Sequence, residues 1–145
     1  MAGYSNQKVF ILYEDEHLLV VKKPFGMESQ RGKSFAMDQE SLLRGYLSSK
    51  TKTDNPYLAV VHRLDRPVAG VMVYAKTKKA AADLSAQLQT ENFSKKYEAV
   101  VSGIVPACEG RLEDYLTADK RTGTTSVSSK ADPLAKKAVL TWKEI

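Results

Sequence analysis

Four ionisable side chains crowd the middle of the chain: His62, Arg63, Asp65 and Arg66, with Leu64 set among them. One carboxylate stands between two guanidiniums. Close cations favour an ionised carboxylate. A carboxylate held ionised on a loop is a group that can do chemistry; the same arrangement can also be a structural Arg–Asp bridge that closes a turn. Residue types alone leave both readings open. A Cys/His metal cluster is not expected from His17, His62 and the single cysteine, Cys108, which also excludes an intrachain disulfide. A paired-carboxylate hydrolase is a distant reading, because no second carboxylate or activating base accompanies Asp65. The His-Arg-Asp of a kinase catalytic loop is a superficial likeness. Leu64 breaks it, and no glycine-rich loop opens a strand upstream.

The flanking residues say what must position this knot. Val60 and Val61 run into it, and Val71–Ala75 reads as a strand leaving it. Pro67 fixes its own backbone and turns Arg66 away from helix, while Gly70 punctuates the exit. The knot therefore lies on a short connection between two strands. Upstream, residues 9–23 hold two apolar, β-prone runs around Glu14–His17, the pattern of a hairpin ended by Pro24 and Gly26. From Asp38 to Ser49, Leu42, Leu43, Tyr46 and Leu47 recur at helical spacing, with Asp38 or Ser41 as cap and Gly45 as a weak point. Thr51–Pro56 is a polar loop. Downstream, Thr77 caps a second helix from Lys78 to about Gln89, with Ala81, Leu84, Ser85 and Leu88 near one face.

From Phe93 to Gly103 the residues alternate as a strand, with Tyr97, Ala99 and Val101 on one side and Lys96, Glu98 and Val100 on the other. Another strand is expected over Gly110–Leu116, a polar loop over Thr117–Pro133, and a closing strand over Ala135–Lys143. The pattern is α+β or α/β: a largely antiparallel mixed β-sheet flanked by two helices. No internal repeat or linker divides it.

The chain of 145 residues is 43% hydrophobic, enough for a real core, and carries a net charge of +5 with a pI near 9.2. A basic balance permits a polyanionic partner such as RNA without demanding one. No apolar run reaches the ~18 residues of a membrane span. The first residues lack a signal-peptide hydrophobic stretch, so a cytoplasmic location is the expectation.

His-Arg-Leu-Asp, a glycine at position 70 and the following Val-x-Val-x-Ala-Lys-Thr resemble the catalytic motif of the RluA-type pseudouridine synthases. The opening Ile-Leu-Tyr-Glu-Asp-Glu-His-Leu-Leu-Val-Val-Lys-Lys-Pro-Phe-Gly-Met is similar to the start of that family's catalytic domain. Ser-Lys-Lys-Tyr matches its Lys-Lys-Tyr motif and puts Tyr97 on the motif's tyrosine. Lys-x-Ala near the end is like a further family strand. Where the family has Thr-Ser-Gly after the aspartate, this chain has Pro67-Val68-Ala69-Gly70.

The resemblance implies an RNA pseudouridine synthase acting on rRNA or tRNA without cofactor or metal. Asp65 is its implied catalytic carboxylate, as nucleophile or as base at the ribose, and Tyr97 its partner against the uracil. His62, Arg63, Leu64 and Arg66 are the implied substrate contacts, with Arg63 in the space vacated by the uridine or on an adjacent phosphate and a structural role equally open for His62. It also implies a loop over Met27–Lys33 bordering the site, where Arg31 and Lys33 either meet phosphates or are merely solvated. The family's third motif, a Gly-Arg-x-His-Gln-Ile-Arg-like stretch whose basic residue pairs with the aspartate, has no counterpart here. The expectation is thus that residues 1–145 are the first two-thirds of a catalytic domain, without an S4-type module. Arg63 and Arg66 are then the only cations near Asp65 in sequence, and an unpaired sheet edge would favour self-association. The rival reading is a non-catalytic RNA-binding or interaction module derived from the same fold.

Overall fold

The computed structural model describes residues 9–32, 37–90, 93–105, 107–119 and 121–145. The chain falls into two compact units, divided between Lys96 and Tyr97, each with its own sheet.

The first unit is a four-stranded antiparallel sheet, ordered β1-β2-β4-β3, with two helices. Strands β1 (Phe10–Glu14) and β2 (Leu18–Lys23) form the expected hairpin. Asp15 shapes its turn: the carboxylate accepts the N–H groups of His17 and Leu18, both at 2.7 Å. The register slips between Ile11 and Tyr13, so Leu12 is an extra residue, a β-bulge. Ile11 packs on the core and Glu14 reaches helix α1 (Gln39–Thr51). Three apart in a regular strand, those two side chains would face opposite ways; the bulge brings both to the helix side.

Alternation in β2 buries Leu19, Val21 and Lys23. Strand β4 (Gly70–Ala75) pairs with it through Leu19↔Tyr74, Val21↔Met72 and Lys23↔Gly70. Leu43 and Leu47 of α1, one helical turn apart, close the core with Leu58, Met72 and Tyr74. Burying a side chain of this size stabilises by about 1.5–3 kcal/mol. Asp38 caps α1 by accepting the Ser41 N–H at 2.9 Å. Arg44 donates from α1 to the carbonyls of Pro56 and Leu58, which delivers the chain to the short strand β3 (Ala59–Val60). Helix α2 (Lys78–Gln87), capped by Thr77 as expected, lies against β4 and β3.

The second unit is a three-stranded antiparallel sheet ordered β6-β5-β7: β5 (Glu109–Asp119), β6 (Thr124–Ser128) and β7 (Lys136–Lys143). The antiparallel sheet with two helices is the architecture expected; it is divided into two sheets. Strand β6 lies inside the stretch expected to be a polar loop. Its Thr-Thr-Ser-Val-Ser has β propensity, and it is paired on one edge only, so its composition carries no core signal. Its turn is fixed by Asp119, whose carboxylate accepts the Arg121 N–H at 2.7 Å, and by Gly123 at φ +72°.

The strand expected from Phe93 is absent: the described residues of 93–103 pair with no other strand. Alternation is one sign of a strand, but a ladder also needs a neighbour, and these residues pair with none among those described.

Candidate active-site loop

The chain leaves β3 at Val60 and enters β4 at Gly70, and four ties hold the loop between them. The β3–β4 ladder ends at Val60↔Tyr74. Beyond it His62 takes over, its Nε2 accepting the Val73 N–H at 3.1 Å. The ring is half-buried, and burial, followed by the charge of Lys95, lowers its pKa below the ordinary histidine value. His62 is therefore neutral at pH 7, and the acceptor role of Nε2 assigns the proton to Nδ1. This hydrogen bond gives His62 a structural role.

Ser29 makes the second tie. Its hydroxyl donates to the Leu64 carbonyl at 2.5 Å and accepts the Leu64 N–H at 3.0 Å. The Leu64 side chain packs against the core, and a Cβ at Gly70 would lie 3.1 Å from its Cδ1. Leu64 thus anchors the loop, and Gly70 makes room for the anchor. In the third tie the Asp65 carbonyl accepts the Val68 N–H at 3.0 Å and closes a turn. The fourth is reciprocal. Arg66 accepts the Gly26 N–H on its carbonyl at 2.9 Å and donates from Nε to the Gly26 carbonyl at 3.0 Å.

Lys23 lies beneath these ties, wholly buried at 0% exposure. Its Nζ donates to the carbonyls of Met27 at 2.6 Å, Pro24 at 3.2 Å and Arg66 at 3.4 Å. Three carbonyl dipoles stand in for the water the ammonium has lost. Burial lowers the Lys23 pKa, and the negative charge of Asp65 opposes that shift. Sequence reasoning counted only Arg63 and Arg66 as cations near Asp65; the fold adds Lys23. The signal was present in β2, where alternation from Leu19 and Val21 puts Lys23 on the buried face.

Asp65, Arg63 and Arg66 are exposed at the surface of this scaffold. Among the described residues no ion pair joins Asp65 to either arginine. The reading of Asp65 as half of a structural Arg–Asp bridge fails. What closes the turn is backbone, Ser29 and Lys23, and the carboxylate is left facing solvent. Such a group can attack a carbon or accept a proton. Arg31 is exposed, and Lys33 lies outside the described residues. Tyr97 opens the second unit, 62% exposed in the unpaired segment. No cluster of three or more His, Cys, Asp or Glu able to hold a metal ion occurs among the described residues, and no helix there is long and apolar enough to cross a membrane.

The family model described as RNA pseudouridylate synthase matches residues 17–145. Ribosomal large subunit pseudouridine synthase D of Pseudomonas aeruginosa is 41% identical over 96 residues, which cover 66% of this chain and 29% of that protein. An uncharacterized RNA pseudouridine synthase of Mycoplasma genitalium is 33% identical over 134 residues, covering 90% of this chain and 41% of the relative. The dual-specificity RNA pseudouridine synthase RluA of Vibrio vulnificus is 38% identical over 75% of this chain and 41% of its own length. The chain thus spans less than half the length of these relatives. In fold it is similar to the human RNA pseudouridylate synthase domain containing 4, with a TM-score of 0.68 and 24% identity over 90% of this chain and 51% of the other. By the match over residues 17–145, the chain belongs to the RNA pseudouridylate synthase family.

Proposed function

We propose that this chain belongs to the catalytic domain of an RNA pseudouridine synthase, with Asp65 as its catalytic carboxylate. The observation that carries the reading is the Asp65 loop itself. Its backbone is fixed by His62, Ser29, Gly26 and Lys23, while the carboxylate is exposed and free of ion pairs among the described residues. A side chain with only a structural duty would be tied down; here the backbone on either side is tied and the carboxylate faces solvent.

The reaction is an isomerisation. The N1–C1′ bond of uridine breaks, the uracil turns, C5 bonds to C1′, and the C5 proton is released. Asp65 acts at the sugar, as nucleophile on C1′ or as base on the ribose; its geometry serves either. Tyr97 would lie against the uracil and assist loss of the C5 proton. Extruding the target costs a few kcal/mol of stacking, and Arg63, exposed beside Asp65, is the side chain for the vacated space or the adjacent phosphate. Arg66, held at Nε by Gly26, offers its remaining donors to a second phosphate. The names of the relatives point to ribosomal or dual-specificity RNA substrates, and rRNA or tRNA is the substrate class proposed.

One observation favours the rival, a non-catalytic RNA-binding or interaction module: Tyr97 is largely exposed in a segment without a strand partner. Tritium release from RNA labelled at uridine C5 separates the two. Release by the intact protein that is lost in Asp65→Asn, with RNA binding retained, is the expected result. RNA binding without release from the wild type would establish the module.

A further inference from the structure

A second feature of the Asp65 loop has no part in that chemistry. The loop is tied to a turn, Pro24–Met27, whose most prominent side chain is an aromatic ring in water: Phe25 is 75% exposed. A single exposed apolar residue needs no explanation on a mobile surface. The backbone beneath Phe25 is not of that kind. Pro24 before it has a fixed φ. Gly26 after it sits at φ +80°, and its N–H and C=O both bond to Arg66. Lys23 Nζ, fully buried, holds the carbonyls of Pro24 and Met27. The residues around Phe25 are thus fixed to the residue that follows Asp65, and the ring they carry touches water.

Resting on the reading of this loop as an RNA site, we propose that Phe25 is a stacking platform for an unpaired base next to the target uridine. The ring offers a π-face and no hydrogen-bonding group, so it accepts any base. The Arg66 guanidinium, anchored by Nε to the adjacent Gly26 carbonyl, lies where the phosphate of the stacked nucleotide would need a cation. An aromatic ring on a fixed backbone and an anchored arginine together suit a single-stranded segment, since bases in a duplex have no free face. The turn thereby fixes the strand that carries the target.

The test is binding of the intact protein to a short single-stranded RNA across a salt series, for wild type, Phe25→Leu and Phe25→Trp. Stacking is worth about 1–3 kcal/mol per base, so Phe25→Leu should weaken binding by about 5- to 150-fold. Its slope of log affinity against log salt should not change, because no phosphate contact is lost. Phe25→Trp should bind at least as well as wild type, with indole emission quenched by RNA beyond the background of Trp142. Leucine keeps the apolar volume and loses the π-face, so affinity equal to wild type in Phe25→Leu would overturn the platform while leaving the RNA reading intact. Emission from the added indole of Phe25→Trp that is already blue-shifted without RNA would show the ring covered by protein, and would also overturn it. Wild type without salt-dependent RNA binding would bring down the functional reading, and this inference with it.

Discussion

The two sheets of this chain are built from similar strands and held by different forces. The first encloses Leu19, Val21, Leu43, Leu47, Leu58, Met72 and Tyr74, all buried. The second has no buried residue among those described, and Val127 (71%) and Leu140 (52%) stand in water. Its order comes from two ladders and from polar latches. Asp132 accepts the hydroxyls of Thr117 and Ser128 and the N–H of Leu134, and so joins β5 and β6 to the loop before β7. Trp142 lies over Gly110, its cross-strand partner, where a Cβ would come within 2.7 Å of the indole. The contrast teaches where precision is kept. The exposed Asp65 loop is mounted on the unit with the core; Tyr97 begins the unit without one.

The largest effect that would sharpen this contrast is a cavity in the first core. Leu47→Ala should destabilise the first unit by about 2–5 kcal/mol in denaturant unfolding, whereas Val127→Ala should change little, within about 0.5 kcal/mol. Equal losses at both positions would show that the second sheet hides a core of its own.

Acid should come next. Burial opposes ionisation of Glu14, yet hydrogen bonds from Lys50, Lys76 and Tyr46 prevail and hold its carboxyl at about 2. The folded pKa lies below the unfolded value of 4.5, so this stabilisation is complete above pH 4.5 and is lost as pH falls towards 2. The shift corresponds to about 3 kcal/mol. Glu14→Gln should flatten the acid limb of a stability–pH curve; an unchanged limb would remove the Glu14 cluster as the tie between β1 and α1.

A smaller loss is expected at Lys23. Lys23→Met keeps the stem and strips the donor from three carbonyls, at a cost of about 1–3 kcal/mol. Amide exchange should rise at Gly26 and Val68, which report the Asp65 turn, before it rises in β2. Exchange that rises uniformly would make Lys23 a general core residue with no special duty to the loop.

Much of this was legible in the sequence. The hairpin, both helices with their Asp38 and Thr77 caps, and β4 were readable because each carries a local signal: alternation, a capping side chain or helical spacing. The loop of His62–Arg66 was found from charge density and from the resemblance that goes with it. Lys23 carried a signal too, its alternation with Leu19 and Val21, but its place at the end of the strand makes it resemble a solvated lysine. Two things were not readable. Strand β6 has no apolar face to announce it. The alternating run through Tyr97 carries a strand's pattern, but whether a neighbouring strand is available is a tertiary fact that alternation does not encode. His62 sits between these cases, since its type marked it as chemical and its geometry makes it a structural acceptor.

The central claim is that the rigid loop exists to present one carboxylate, and Asp65→Asn tests it most directly. Asparagine preserves the shape and the backbone ties and can neither ionise nor attack. In the intact protein, with RNA labelled at uridine C5, the substitution should abolish tritium release by about a thousandfold or more, while RNA affinity, its salt slope and the unfolding midpoint stay at their wild-type values. Release within tenfold of wild type would contradict the account, because the group that the whole loop is built to hold out would then be dispensable.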